Sequence, residues 1–398
     1  MKLKIGVLFG GASVEHEISI ISANQVINVL DNEKYEVFPI YISKEKDMYY
    51  SKQYFEIATF KNLEKAKNSG VNIVLKKQKQ VIEMHTMNNK LFSSKISDID
   101  VFFPVMHGTN GEDGTLQGML ETLDATYTFC DTKAAAVGQD KVFMKCILNN
   151  NGVNVVDFEW FYENEYFDDE ETIINRLETN IHYPMIIKPA NLGSSVGISI
   201  AHSKSELKDS IVEALRYENK ILVERVIENL LEVNCAVLGD YDTQETSAIE
   251  QVFQSGDILS YEDKYTANND SKLGSKSSGM AATKRIIPAP LSEEVELKVR
   301  TQAIKGFKAL NLSGDTRIDF LIDKNTNEVF LNEVNTIPGS LAFYLWQAKG
   351  LDFENLCEDL IKYAIKRKRE SKQLITTFQT NVLDNYGQVG SKGSKSKV

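Results

Sequence analysis

Apolar residues fall along this chain in two rhythms, and the switches between them mark its elements. An apolar run over 4–9 ends at Gly10-Gly11, and Ile20, Ala23, Ile27 and Leu30 then recur at helical spacing from an opening near Ser13. VFPIYI (37–42) is a second apolar run, and DVFFPVMHG (100–108) a third that stops at Gly108. Leu116, Leu120 and Leu123 place another amphipathic helix directly after GEDG. Strand, glycine turn and helix, repeated, predict an α/β domain with a parallel sheet. The stretch 43–100 is polar and shows no usable period.

From about residue 130 the pattern changes. A helix is expected over 133–150, strands over 154–160, 184–188 and 197–201, a helix over 204–217 and a strand over 220–227. VNCAVLG and SAIEQVF follow as antiparallel-looking pieces, then a long loop over 265–285 rich in Gly, Ser, Asn and Lys, of the length that often serves as a lid. A helix over 292–310 precedes two facing strands, TRIDFLID and NEVFLNEVN, joined by KNTN. The polar, low-complexity end of the chain reads as a disordered tail.

Length and charge narrow this picture. A chain of 398 residues suggests two or three domains. A net charge of −11 speaks against general nucleic-acid binding. Cys130, Cys146, Cys235 and Cys357 form no CxxC and read as reduced thiols. No apolar run reaches the ~18 residues of a membrane span, so a cytoplasmic location is expected.

Four stretches carry candidate chemistry. Alternate residues of a strand share a face, so Arg317 pairs with Asp319, and Glu333 with Asn335. If Asp319 stands opposite Glu333, all four point one way, and two carboxylates with an amide oxygen suit Mg²⁺; a solvated, salt-bridged face is the plain alternative. In IIKPANLGSSVGI (186–198) a buried strand delivers Lys188 to a Gly-Ser loop that could wrap phosphate oxygens, or be a simple hairpin. GGASVEHE (10–17) and HGTNGEDG (107–114) each place acidic side chains near a helix start, where they could bind an ammonium group or complement the dipole. Glu224 in LVERV is a charge inside an apolar strand, either at an exposed edge or holding an adenine. Neither G-x-G-x-x-G nor G-x-x-x-x-G-K-[ST] is present, so dinucleotide and phosphate-loop readings lack support.

Taken together, GGASVEHEIS, HGTNGEDGTLQGMLE, QDK (139–141), IIKPANLGSSVGIS, LVERV, DKY, IIPAP, TRIDF and NEVNTIPG resemble, in order, the D-alanine–D-alanine ligase family, a branch of the ATP-grasp enzymes. The resemblance runs from about residue 5 to 365. It implies an ATP-grasp fold, α/β and α+β: an N-terminal parallel-sheet domain (1–128), a central lobe (129–228), a C-terminal lobe with the metal site (229–370) and a tail (371–398). It implies a carboxylate–amine ligase that makes an acyl phosphate from ATP and joins two D-alanines for peptidoglycan precursor synthesis. The family is often dimeric through its N-terminal domain.

Carried over by that resemblance, Asp319, Glu333 and Asn335 would bind Mg²⁺ or Mn²⁺, two ions in all. Arg317 and the N–H of Gly339 would stabilise the oxyanion. Lys141, Lys188, Ser195 and Lys264 would hold the phosphates of ATP, and Glu224, Val226 and Glu232 its adenine and ribose. Glu15, Ser194 and Tyr265 would hold the first substrate and tether the lids, with His107 on its carboxylate side. The pattern also departs from the family's. Leu230-Leu231 stands where a Gly is usual, SYEDKY replaces YDYxxKY, and PGSLAFYLW replaces PGMT and its following Ser, so that Tyr344, with Leu345, falls at the acceptor position. The acceptor thus stays open between D-alanine, D-lactate, D-serine and another amine. A non-catalytic ATP-binding sensor of the same fold is the alternative from another class.

Overall fold

A computed structural model describes residues 2–87, 94–193, 196–253, 285–378 and 380. Strands β1 (Leu3–Gly10), β2 (Tyr35–Ile42), β3 (Met48–Tyr50), β4 (Val71–Gln78), β5 (Val81–Thr86), β6 (Lys95–Ile99) and β7 (Val101–Val105) form one sheet in the order β6-β5-β4-β3-β2-β1-β7. Only the pairings of β1 with β2 and β7 are parallel. The remaining ones are antiparallel, so the expected parallel sheet is three strands wide, and the aperiodic stretch 43–100 supplies its extension. Those added strands are mostly exposed on one side, which removes the apolar alternation a reader depends on. The first helix begins at His16, with Glu15 at its N-cap making no side-chain cap bond.

The expected helix over 133–150 is two helices, Thr132–Gln139 and Lys141–Asn150. Asp140 interrupts it with an extended backbone, and its Oδ1 accepts the N–H groups of Val142 and Phe143 at 3.0 Å each. This cap makes Lys141 the first residue of the second helix. The other carboxylate oxygen of Asp140 is 2.7 Å from the Lys220 ammonium.

A second, antiparallel sheet contains β8 (Phe158–Tyr162), β9 (Met185–Pro189), β10 (Ser199–Ala201) and β11 (Lys220–Arg225) in the order β10-β9-β11-β8. The edge-strand reading of LVERV is therefore wrong, because β11 is an interior strand. A third antiparallel sheet contains β12 (Leu230–Gly239), β13 (Gln244–Val252), β14 (Arg285–Ile286), β15 (Gly314–Asp323) and β16 (Glu328–Asn335) in the order β14-β13-β12-β15-β16. Each of these two sheets buries one face under helices. Ile187, Ile221 and Val223 pack on Ile174, Leu177 and Ile211. Cys235, Ile318 and Phe320 pack on Val299, Ala303 and Phe307 of the helix Glu293–Ala309. Strand periodicity then sends the alternate, polar positions to the opposite faces.

Packing crosses the sequence spans of the three sheets. Ala134, Met144 and Leu148 join the core of the third sheet. The helix Phe353–Ser371 returns to the first sheet, placing Leu356 and Leu360 with Ile5, Val7 and Phe103. The four cysteines are unpaired thiols. No described helix is long and apolar enough to cross a membrane.

Candidate active site

The polar face of the third sheet is an ordered row. Glu250 on β13 stands opposite Asn234, Asn234 opposite Asp319, and Asp319 opposite Glu333. One step along, Arg317 stands opposite Asn335, the register anticipated from the alternation. Directly opposite residues share a face, so these groups converge. The Nε and Nη2 of Arg317 donate to Asp319 at 2.7 and 2.8 Å, and Nδ2 of Asn335 donates to Asp319 Oδ2 at 3.1 Å. Burial works against the guanidinium charge, but the Asp319 carboxylate holds the Arg317 pKa well above its ordinary value.

The second sheet turns lysines toward this row. On its polar face Lys188 stands opposite Leu222, and Glu224, two residues further, points the same way. The buried Glu224 carboxylate is ion-paired with both Lys145 and Lys188. Burial alone would raise its pKa, but the two ammonium groups hold it down to about 2. Burial lowers the pKa of Lys145. Two contacts then bring cations to the strand that bears Glu333: Lys188 Nζ, from the second sheet, donates to Asn332 Oδ1 at 3.3 Å, and Lys141 Nζ lies 3.6 Å from Glu333. Lys141 also donates to the carbonyl of Leu192 at 2.7 Å, just ahead of the Gly-Ser stretch. Lys145 escaped the sequence reading; its helical spacing of four from Lys141 was the available signal. Val226 lies on the segment between β11 and β12, and Glu232 lies on β12, two residues from Asn234 and so on the same face of that strand.

The first domain grips the turn that follows β16. Glu112 accepts the N–H of Ile337 on Oε1 and of Gly108 on Oε2, both at 2.8 Å. Burial, with the nearby charge of Glu15, pushes its pKa up to about 8. His107 Nδ1 lies 2.8 Å from the carbonyl of Ile337, so it carries the proton, and Nε2 accepts from Ser22 Oγ at 2.9 Å. Burial lowers the His107 pKa, with Glu15 opposing. Ser22 Oγ in turn accepts the N–H of Ser340 at 2.9 Å. Both ring nitrogens of His107 are thus engaged with protein atoms that fix the loop around Gly339. Glu15 lies close by: a Cβ on Gly108 would meet its Oε2 at 2.6 Å, and one on Gly193 at 3.5 Å.

Beyond Gly339, Ser340, Leu341 and Ala342 all take left-handed backbone angles, with φ of 52, 51 and 44°. Three consecutive non-glycine residues there cost about 1–2 kcal/mol each. Offsetting contacts include the Ser22 bond and the burial of Leu341, Ala342, Leu345 and Trp346 in the first core. The Trp346 indole N–H donates to the buried Asp315 at 2.9 Å. Leu345 therefore sends its side chain into the core. The half-buried Tyr344 donates its hydroxyl to Glu250 Oε1 at 3.1 Å. Ser194, Ser195, Lys264 and Tyr265 lie outside the described residues.

The donor set suits a hard divalent cation. Asp319, Glu333 and Asn335 offer oxygens from one sheet face, with lysines opposite for an anionic ligand. Asn335 now presents its Nδ2 to Asp319; turning the amide over would present its oxygen. Asp31, Glu354 and Glu358 form a separate acidic group, but Lys34 pairs with Asp31 and Glu358 there.

Two antiparallel sheets closing polar faces on each other, one with lysines and one with hard oxygen ligands, define an ATP-grasp ligase. Residues 4–130 match the family description "D-ala D-ala ligase N-terminus" and residues 147–362 "D-ala D-ala ligase C-terminus". The chain is 40% identical over 385 residues to the D-alanine--D-alanine ligase of Thermosipho melanesiensis, covering 96% of this chain and 98% of that protein. It is 36% identical to that of Acetivibrio thermocellus, over 93% and 98% of the two chains. Among solved structures, the D-alanine-D-alanine ligase from Coxiella burnetii superposes with a TM-score of 0.78 at 30% identity, covering 94% of this chain and 96% of that one. The VanG D-Ala:D-Ser ligase from Enterococcus faecalis gives 0.74 at 29%, covering 92% and 100%. The chain belongs to the D-alanine–D-alanine ligase family and is an ATP-dependent ligase that forms a peptide bond.

Proposed function

We propose that this protein condenses two D-alanines into D-alanyl-D-alanine for peptidoglycan precursor synthesis. The observation that carries the reading is the pair of lysine contacts, Lys188 to Asn332 and Lys141 to Glu333. They set two lysines against the carboxylate row, which supports a role for these cations in holding the phosphates of ATP. In the first step a carboxylate oxygen of D-alanine attacks the γ-phosphorus of ATP, the bond to the bridging oxygen breaks, and ADP leaves. In the second the acceptor amine attacks the acyl carbon, the C–O bond to phosphate breaks, and the surplus amine proton leaves with the phosphate.

Lys141 and Lys188 orient the triphosphate, and Lys145 keeps Glu224 ionised so that it can anchor Lys188 and face the adenine. Val226 and Glu232 line the nucleoside end. Asp319, Glu333 and Asn335 would hold Mg²⁺, which, when bound, neutralises phosphate charge. Arg317, a permanent cation, and the N–H of Gly339 face the developing oxyanion. Glu15 takes the ammonium group of the first D-alanine. His107 acts one step back, by fixing the turn that bears Gly339. Ser194, Ser195, Lys264 and Tyr265 complete the phosphate and substrate contacts in this reading.

An acceptor screen tests it. D-Alanine is supplied with ATP and Mg²⁺ alongside D-lactate, D-serine and simple amines, and products are identified by mass. Stoichiometric ADP and D-alanyl-D-alanine are expected. No ADP release with D-alanine and any acceptor would overturn the proposal.

A further inference from the structure

We propose that Arg285 receives the carboxylate of the acceptor amino acid, held for that task by Glu250 and the ring of Tyr344. The inference rests on the ligase reading above and concerns how its second substrate is chosen.

Arg285 begins β14 and pairs with Val252 of β13. Val252 lies two residues from Glu250, so Arg285 shares the face that carries Glu250, Asn234, Asp319 and Arg317. Its Nη1 donates to Glu250 Oε2 at 3.0 Å, and its guanidinium carbon lies 4.1 Å from the centre of the Tyr344 ring. The side chain is only 12% exposed. It is a cation fixed from two sides, and its partner Glu250 stands opposite Asn234, which in turn stands opposite Asp319.

Tyr344 stands where the family has a serine that binds this carboxylate, but its hydroxyl is committed. A phenol has one proton, and Tyr344 gives it to Glu250 Oε1. That oxygen also accepts from Asn234 Nδ2 at 3.0 Å. An incoming carboxylate would thus meet a hydroxyl without a proton to give and a like charge behind it. A cation standing between them removes that repulsion, and among the described residues Arg285 is placed there, against both Glu250 and the Tyr344 ring. A guanidinium is also the group whose planar fork of N–H donors matches a carboxylate. Glu250 and Tyr344 are then positioning residues, and the acceptor class is α-amino acids rather than simple amines.

The test uses the full chain with D-alanine as donor, and D-alanine and D-alaninamide competing as acceptors, with products separated by mass. Losing a charge-assisted pair costs roughly 10- to 100-fold. R285Q is therefore expected to raise the acceptor-site KM, and to lower the ratio of dipeptide to dipeptide amide, by about that factor. The donor-site KM should stay within about threefold, since an interaction made only with the acceptor is removed. R285K, which keeps the charge and loses the fork, should fall between, and carries the test if R285Q does not fold. Y344F should move the ratio less than R285Q. An unchanged ratio in R285Q or, failing its folding, in R285K overturns the proposal, as does an equal collapse in Y344F, which would make the phenol the ligand. If the wild type releases no ADP with D-alanine at all, the ligase reading itself fails and Arg285 loses this role with it.

Discussion

Asp319 stands directly opposite Glu333 across the β15–β16 hairpin, and the ladder slips immediately afterwards, so that Phe320 faces Leu331. The slip leaves Asn332 without a partner in the register. A bulge re-aims the residue it displaces, and Asn332 reaches across the cleft to Lys188. One irregularity thereby keeps the carboxylates on one face and supplies a contact to the other lobe.

Replacing Asp319 tests both a proposed ligand and a buried ion pair. D319A should abolish Mg²⁺-dependent ADP release. It should also destabilise the fold by about 3–5 kcal/mol, since it leaves the Arg317 charge buried and unpaired. Steady-state ADP release and urea unfolding read the two effects. ADP release that persists in D319A at the wild-type Mg²⁺ dependence would remove Asp319 from the ligand set.

Glu224 should make the fold acid-sensitive. Its folded pKa of about 2 lies below the ordinary 4.5, so its contribution is complete above about pH 4.5 and is lost as pH falls toward 2. In E224Q the loss of stability between pH 5 and 3 should be shallower than in the wild type. Parallel pH–stability curves from thermal melts would mean that the Lys145 and Lys188 pairs do not stabilise the folded state.

Asp315 should act in the opposite direction. Burial raises its pKa to about 8 from 3.8, against the opposing Trp346 hydrogen bond and Arg317 charge. The folded state therefore holds a proton that the unfolded state releases, and stability declines as pH rises from about 4 to 8. D315N keeps the shape and cannot ionise. Its stability relative to wild type should improve steadily over that range; a difference independent of pH would count against a protonated Asp315.

Ser22 contacts no substrate in this scheme, yet S22A should slow the reaction. It leaves the Ser340 N–H and His107 Nε2 without the Ser22 hydroxyl in a strained turn, at about 1–3 kcal/mol for the lost bonds. If that energy serves the position of Gly339, kcat should fall by about 10- to 100-fold with donor KM little changed. A change confined to melting temperature would make the clamp purely structural.

The chain itself determined much of this. Alternation in TRIDFLID and NEVFLNEVN, with a short polar connection, placed Arg317, Asp319, Glu333 and Asn335 on one face, because strand period is a local property of the backbone. The glycine turns after β1 and β7 were legible for the same reason. The strands of 43–100 were not, since a one-sided, mostly exposed sheet extension leaves little apolar signal. Asn234, Glu250 and Arg285 were missed because each is a single polar residue in a separate strand, and only the order β14-β13-β12-β15-β16 lines them up. Lys145 gained meaning only when Glu224 arrived from another sheet. The left-handed turn at Ser340–Ala342 has no local cause: propensity opposes it, and Ser22, Asp315 and the first core impose it. Sequence fixes which faces are polar, through periodicity; which polar faces meet, and which hydroxyl is left with a proton to give, depends on distant strands and was decided by the tertiary structure alone.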